Sequence, residues 1–185
     1  MRIEEIKKRF QVTVQWRAFP LHPETPEQGL TLKELFAGRD LDIQGVAARL
    51  RRVADELGLA WGDRDRTYNS RLAQELGKWA EERGKGDEFH SAVFRAYFAE
   101  GRNIGQRGVL TDLAGSVGLI QEAAEEVLES RNFRAAVDED WRLSREQGIT
   151  AVPTFVVDRN LLVGAQPYKT IESFLRNCGV RESVN

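Results

Sequence analysis

Residues 148–162, GITAVPTFVVDRNLL, have the pattern of a glycine turn, a strand that opens at a proline, a short turn and a second strand. The apolar, β-rich run 155–157 is bounded by Pro153 and by the turn residues 158–160. Because proline has no N–H to donate into a sheet ladder, we expect Pro153 at the start of that strand or at an edge. The Val-Pro-Thr spelling is compatible with a cis peptide bond at Pro153, although trans is the commoner form.

Composition excludes several classes of protein. The 185 residues are 41% hydrophobic and 30% charged, which is typical of a soluble chain with one domain plus an insertion, or with two small domains. A net charge of −2 argues against nucleic acid and membrane surfaces as partners. No apolar run approaches the roughly 18 residues that span a bilayer, and charges interrupt residues 2–9, so no signal peptide is predicted. With Cys178 as its one cysteine, the chain cannot form an internal disulfide, and we expect a cytoplasmic protein.

The start of the chain changes pattern twice. Residues 1–9 are charged and predict a helix whose Ile3 and Ile6 face a core. Residues 11–18 then alternate between apolar and polar side chains, which predicts a strand with one polar face. Residues 19–29 hold three of the five prolines and predict an irregular loop.

Helical spacing dominates from about residue 31 to residue 147. Six apolar stripes indicate helices around residues 46–57, 72–80, 89–98, 110–117, 123–128 and 133–141. We expect all six stripes to face the core, because most such stripes do. A helical block between an early strand and two late strands predicts one subdomain inserted into another, with limits 1–30, 31–130 and 131–185.

Three ordered segments together resemble a known family. They are VQWRAFPLHPETPEQG (14–29), FHSAVFRAYFAEGRNIGQRGVLTDLA (89–114) and ITAVPTFVVDRNLLVGAQPYKTIESFL (149–175). The chain resembles the DsbA family, in the branch called FrnE-like or grouped with 2-hydroxychromene-2-carboxylate isomerases. The resemblance implies an α/β fold, namely a thioredoxin-like domain with an inserted all-helical subdomain and a cis-proline loop.

This chain departs from the family pattern at its beginning. Family members open with a β-strand and a Cys-x-x-Cys, whereas this sequence starts at what resembles the last turns of the following helix. In the thioredoxin-like arrangement the opening strand lies between the strands expected at 11–18 and 154–157. We therefore expect the sequence to be a truncated or mis-started form of a longer protein. The alternatives are a strand supplied by a second copy, which gives a homodimer, or a rearranged sheet.

The resemblance also implies a binding site without a catalytic residue. In the family, the cis-proline loop holds the substrate beside the reactive thiolate. The matching residues here are Ala151, Val152 and Pro153, with Thr154 as a weaker fourth. They would offer backbone groups to an extended peptide or to a thiol substrate such as the cysteinyl part of glutathione.

Three functions remain open at this point. The first is a thiol-disulfide oxidoreductase whose dithiol these 185 residues lack. The second is a glutathione-dependent isomerase or transferase of the same fold, with glutathione as cosubstrate. The third is a non-catalytic peptide-binding module.

Other reactive residues predict no further site. The two histidines, His22 and His90, have no second ligand at zinc spacing, so we predict no metal and no bound cofactor. The simplest interpretation of Cys178 is a structural or incidental residue, and that of Gly164 in its GAQ turn is a structural role. Asn69 matches the family, but the histidine that often follows it is missing, which argues against substrate binding by the helical subdomain.

Overall fold

The computed structural model describes residues 2–183. Its helices are α1 Arg2–Arg9, α2 Leu32–Leu35, α3 Ile43–Glu56, α4 Arg71–Glu82, α5 Gly86–Phe98, α6 Arg107–Ser116, α7 Gln121–Ser130, α8 Arg134–Glu146 and α9 Tyr168–Asn177. Its strands are β1 Leu30–Thr31, β2 Arg66–Thr67, β3 Thr154–Val157 and β4 Asn160–Val163. Each of the six apolar stripes therefore lies on a helix, as the spacing predicts.

The chain divides into two compact units. One runs from His22 to Glu139 and is here called the helical unit. The other combines the part up to Leu21 with the part from Asp140 onward, and is here called the hairpin unit. Among residues 2–183, no helix is both long and apolar enough to cross a membrane.

The helical unit is built around α4, α5, α6 and α7. Its buried residues come from all four helices and include Leu76, Trp79, Phe89, Leu110 and Leu128. Gly84 follows α4 with φ +69°, a conformation that glycine adopts without steric cost. The expectation that these stripes face a core is confirmed for these four helices.

A buried carboxylate lies within this helical packing. Glu75 on α4 is 2% exposed and accepts hydrogen bonds from Arg71 Nε at 2.6 Å and from Arg131 Nε and a terminal nitrogen at 2.6 and 2.8 Å. Burial acts to raise the pKa of Glu75, but the hydrogen bonds from the two guanidinium groups outweigh it, and the net pKa is lowered. The group is therefore held as a carboxylate.

The proline-rich loop is fastened to the start of α4 by Asn69. Its side-chain amide donates to the carbonyls of Pro23 and Thr25 at 3.1 and 2.8 Å, while its oxygen accepts from the Arg71 N–H at 2.9 Å. Both side-chain polar atoms of Asn69 thus hold parts of the fold together. Nearby, β1 pairs with β2 in a two-residue antiparallel ladder.

Helix α3 corrects one expectation. Its stripe was expected to face the core, yet Ala54 is its one buried residue among those that the structure describes. Val46, Leu50, Val53 and Leu57 are 37–46% exposed. The helix forms as predicted, but its apolar face has no cover within the described chain, because α3 packs extensively on no other described element.

The hairpin unit has a smaller core. Ile6 and Phe10 from the start of the chain pack with Ile171 and Leu175 of α9. The inner side chains of the β3–β4 hairpin, among them Phe155, Val157 and Leu162, lie against this cluster. In the antiparallel register, Thr154 faces Val163 and Val157 faces Asn160, so Asp158 and Arg159 form the turn, and Asn160 begins β4 rather than belonging to the turn.

The strand predicted over residues 11–18 does not form. Residues 12–18 do alternate between half-buried and exposed side chains, as the pattern requires, but they join no ladder. A strand needs a partner for its backbone groups. At the start of the segment, Phe10 bridges Glu182, the Gln11 N–H donates to the Arg181 carbonyl at 2.9 Å, and the Ser183 N–H donates to the Arg9 carbonyl at 2.8 Å.

The far end of the same segment is held by a buried carboxylate. Asp140 of α8 is 1% exposed. One of its oxygens accepts from the Arg17 guanidinium at 2.8 Å, and the other accepts from the Ala18 N–H at 2.9 Å. The segment is therefore anchored at both ends while its middle lacks a neighbouring strand in the described chain.

Candidate functional site

The candidate site is the segment of residues 148–154, here called the proline loop, which joins α8 to β3. It begins at Gly148, whose φ of +66° ends the helix. The Gly148 N–H donates to the Arg145 carbonyl at 3.0 Å, and the Ile149 N–H donates to the Ser144 carbonyl at 2.9 Å. The first part of the loop is thus fixed to the last turn of α8.

The second part of the loop is fixed to the hairpin. The Val152–Pro153 peptide bond is cis, as the resemblance implies. The Thr154 hydroxyl donates to the Ala151 carbonyl at 2.7 Å, and the Gly164 N–H donates to the Pro153 carbonyl at 2.8 Å. Two of the residues predicted to bind substrate, Ala151 and Thr154, therefore bond to each other across the turn.

Val152 is the part of the loop that faces outward. Its side chain is 45% exposed, and Pro153 beside it is exposed as well. Within residues 2–183, the N–H and C=O of Val152 have no hydrogen-bond partner. A fixed loop with one free donor and one free acceptor is suited to pairing with an extended backbone, as in strand addition.

The GAQ turn at 164–166 supports the loop. Gly164 has φ +95°, and its N–H reaches Pro153. The Gln166 side chain donates to the Val163 carbonyl at 2.7 Å. These contacts fit the structural role that the sequence predicts for Gly164.

Reactive side chains lie outside the proline loop. Cys178 is half-buried at the end of α9, where its N–H donates to the Phe174 carbonyl at 3.0 Å. Among residues 2–183, no group of three or more His, Cys, Asp or Glu side chains is arranged to hold a metal ion. The loop can therefore offer backbone and apolar contacts, whereas thiol chemistry there would need a group that the loop residues do not carry.

Sequence reasoning missed a shallow cavity on the outer side of the hairpin. It has a volume of about 220 Å³ and is lined by Gln147, Val156, Asp158, Arg159 and Leu161. Val156 and Leu161 are cross-strand partners, and they are 39% and 42% exposed. The sequence did contain an indication of an apolar outer surface, because β3 and β4 each carry apolar residues on both faces.

The sequence model of the DSBA-like thioredoxin domain family matches residues 1–176. The chain belongs to this family. The expected thioredoxin-like α/β fold and the DsbA resemblance are thereby confirmed. As a family member with one cysteine in 185 residues, the chain has no dithiol of its own.

Individual proteins agree with this assignment. The uncharacterized protein YwbO of Bacillus subtilis (strain 168) is 31% identical over 166 residues, covering 88% of this chain and 80% of that protein. A probable DsbA oxidoreductase from Streptomyces coelicolor is 28% identical with a TM-score of 0.87, covering 100% of this chain and 85% of its own. The cytosolic disulfide reductase DsbM from Pseudomonas aeruginosa, solved with GSH, is 25% identical with a TM-score of 0.54, covering 80% of this chain and 81% of its own.

Proposed function

We propose that the proline loop binds the extended backbone of a thiol-containing peptide, and that these 185 residues alone bind such a substrate without turning it over. The carrying observation is Val152, whose N–H and C=O are unpartnered within the described chain while hydrogen bonds on either side hold the loop. An incoming strand would accept from that N–H and donate to that C=O. The exposed Val152 side chain would add an apolar contact.

The absence of turnover follows from sulfur chemistry. A single thiolate that attacks a disulfide releases one thiol and leaves a mixed disulfide on the protein. A second thiol must attack that mixed disulfide to complete the exchange. Cys178 is the one cysteine in the chain, so the second thiol would have to come from elsewhere.

Binding is tested by titrating the protein with a short extended peptide that has a central cysteine, with the Val152 amide followed by NMR. Val152→Asp should weaken binding by roughly tenfold, about 1.4 kcal/mol. Ile120→Asp is the matched control, because Ile120 is 68% exposed and lies in the helical unit. Equal binding by both variants would refute the proposal, as would chemical shifts confined to Val156 and Leu161.

A change in the ligand tests the backbone contact directly. The same peptide with an N-methyl group on its cysteine keeps the side chains but loses one N–H, so it should bind more weakly. Disulfide reductase activity with insulin should be no higher for this chain than for Cys178→Ser. Turnover that Cys178→Ser abolishes would contradict the absence of catalysis.

Glutathione is the second ligand we propose for the same loop. It is a short peptide with a thiol, and the DsbM structure that resembles this chain was solved with GSH. Reduced glutathione should then compete with the peptide and shift the Val152 amide. The cytosolic location of DsbM also supports a cytoplasmic location for this protein, which fractionation of its native cells would test.

A further inference from the structure

The exposed face of α3 has the spacing of a coiled coil. Its apolar residues are separated by three, four, three and four positions, which is the a and d pattern of two heptads: Ile43, Val46, Leu50, Val53 and Leu57. The last four are 37–46% exposed. Such a stripe normally lies against another helix.

The helix is well formed although its face is open. Asp42 accepts a hydrogen bond from the Gly45 N–H at 2.9 Å, which caps the first turn. At the other end, the Leu57 N–H donates to the Val53 carbonyl at 3.2 Å, and the Leu59 N–H donates to the Ala54 carbonyl at 2.8 Å. An ordered helix with an uncovered apolar stripe marks an interaction surface.

Charges beside the stripe select the partner. In the heptad, Arg49 and Glu56 occupy successive g positions, while the e positions hold Ala47 and Ala54. Two antiparallel helices place g beside g, so Arg49 of each copy would face Glu56 of the other. Both residues are exposed, and neither has an ion-pair partner within residues 2–183. The surface is therefore complementary in charge to itself.

Other occupants fit less well. A helix that lies on a membrane surface carries mainly lysine and arginine on its polar face. The polar face of α3 carries acidic Asp55 and Glu56 beside its arginines, and Arg51 is already paired with Asp63. A parallel pair of α3 helices would set Arg49 against Ala54 and Glu56 against position 61, beyond the end of the helix, so neither charge would face an opposite charge.

We infer that α3 pairs antiparallel with α3 of a second copy of this chain. In that pairing Leu50 of one copy packs against Val53 of the other, and Val46 packs against Leu57. Two heptads bury less surface than the roughly 800 Å² per partner of a standard interface, so the dimer should be weak. We expect a dissociation constant on the order of 1–100 µM.

Sedimentation velocity over a concentration series tests the dimer. The unmodified chain should shift from monomer to dimer, and Leu50→Gln should stay monomeric. Ile120→Gln, which replaces a still more exposed apolar residue of the helical unit, should dimerise as the unmodified chain does. Because Leu50 is 46% exposed, circular dichroism should show both variants folded. A chain that remains monomeric throughout overturns the inference.

Charge reversal tests the orientation. Arg49→Glu alone and Glu56→Arg alone each replace two opposite-charge contacts by two like-charge contacts and should weaken the dimer at low salt by about tenfold. The double variant restores opposite charges and should recover the original affinity. If Leu50→Gln abolishes the dimer but charge reversal has no effect, the antiparallel pairing is wrong. A dimer that Leu50→Gln leaves intact places the interface elsewhere and also overturns the inference.

Discussion

Helices α3 and α4 lie in the same unit and have the same amphipathic pattern, yet only α4 buries its apolar face. The buried residues of α4 are Ala73, Glu75, Leu76, Gly77, Trp79 and Ala80, whereas α3 buries Ala54 alone. An apolar stripe at helical spacing predicts that a helix forms, because the stripe gains from being covered. It does not reveal what provides the cover.

The two helices also differ in how their charges are used. α4 places Glu75 inside the unit, where Arg71 and Arg131 bind it. α3 keeps Arg49 and Glu56 at the surface, beside its open stripe. The bonds between Glu75 and Arg131 connect α4 to the end of α7. The charges of α3 are exposed and remain accessible to another molecule.

The largest effect is expected when the buried carboxylate is removed. Glu75→Ala removes the buried carboxylate that both guanidinium groups bind. Arg71 keeps its ion pair with Asp138 at 2.7 Å, but the two hydrogen bonds from Arg131 to Glu75 are lost. The free energy of unfolding should fall by about 3–5 kcal/mol in urea titrations. Glu82→Ala, at the exposed end of α4, should change it by less than about 0.5 kcal/mol. Similar losses in both variants would mean that Glu75 does not hold the helices together.

The contribution of the Glu75 carboxylate to the free energy of unfolding should disappear in acid. The folded-state pKa of Glu75 is lowered, so its stabilisation is present above the unfolded-state pKa, about 4.3, and is lost as the pH falls through the folded-state value. The stability difference between the unmodified chain and Glu75→Gln should therefore shrink as the pH is lowered below about 5. A difference that stays constant down to pH 2 would contradict the carboxylate's role.

Truncating one leucine on each helix compares their burial directly. Leu76→Ala on α4 removes a fully buried side chain and should cost about 2–5 kcal/mol, since it leaves a cavity. Leu50→Ala on α3 should cost less than about 1 kcal/mol, measured at a concentration where the chain is monomeric. Equal costs would show that α3 is covered in solution even in the monomer.

The smallest effect concerns the first turn of each helix. Asp42 accepts a hydrogen bond at the start of α3, whereas Ser70 at the start of α4 makes no such capping bond. Asp42→Ala should therefore cost about 1 kcal/mol and speed amide exchange in α3. Ser70→Ala should lower the free energy of unfolding by only a few tenths of a kcal/mol. The reverse order would show that the cap of α3 contributes little.

The sequence predicts local structure well and partners poorly. The six helices, the β3–β4 hairpin and the cis bond before Pro153 follow from periodicity, from turn residues and from the family resemblance. The prediction of a strand over residues 11–18 was wrong. The alternation of apolar and polar side chains is a property of one segment, whereas a ladder of hydrogen bonds needs a second segment as well. The prediction that the apolar stripe of α3 is buried was wrong for a related reason, because burial requires a neighbouring element that the sequence of the helix does not specify.

The position of the candidate site follows from the sequence, while substrate binding there stays a prediction. Its residues could be located from the motif at 151–154, but the motif does not show which backbone groups are free. The structure adds that the Ala151 carbonyl accepts from Thr154, which leaves Val152 as the outward residue. Only one of the two ion pairs of Glu75 could be predicted from the sequence. Arg71 lies four residues away on the same helix, whereas Arg131 lies fifty-six residues away and its contact depends on tertiary packing.

Arg131 has a consequence for how this sequence can evolve. It ends α7 with φ +55° and ψ +31°, a left-handed conformation that usually selects glycine, and the same residue supplies two hydrogen bonds to Glu75. Selection for an unstrained backbone and selection for a neutralised carboxylate therefore act in opposite directions at one position. Glycine at position 131 would relieve the backbone but would remove both of these hydrogen bonds from the buried carboxylate. Across related chains, positions 75 and 131 should change together, with glycine appearing at 131 only where 75 is no longer a carboxylate.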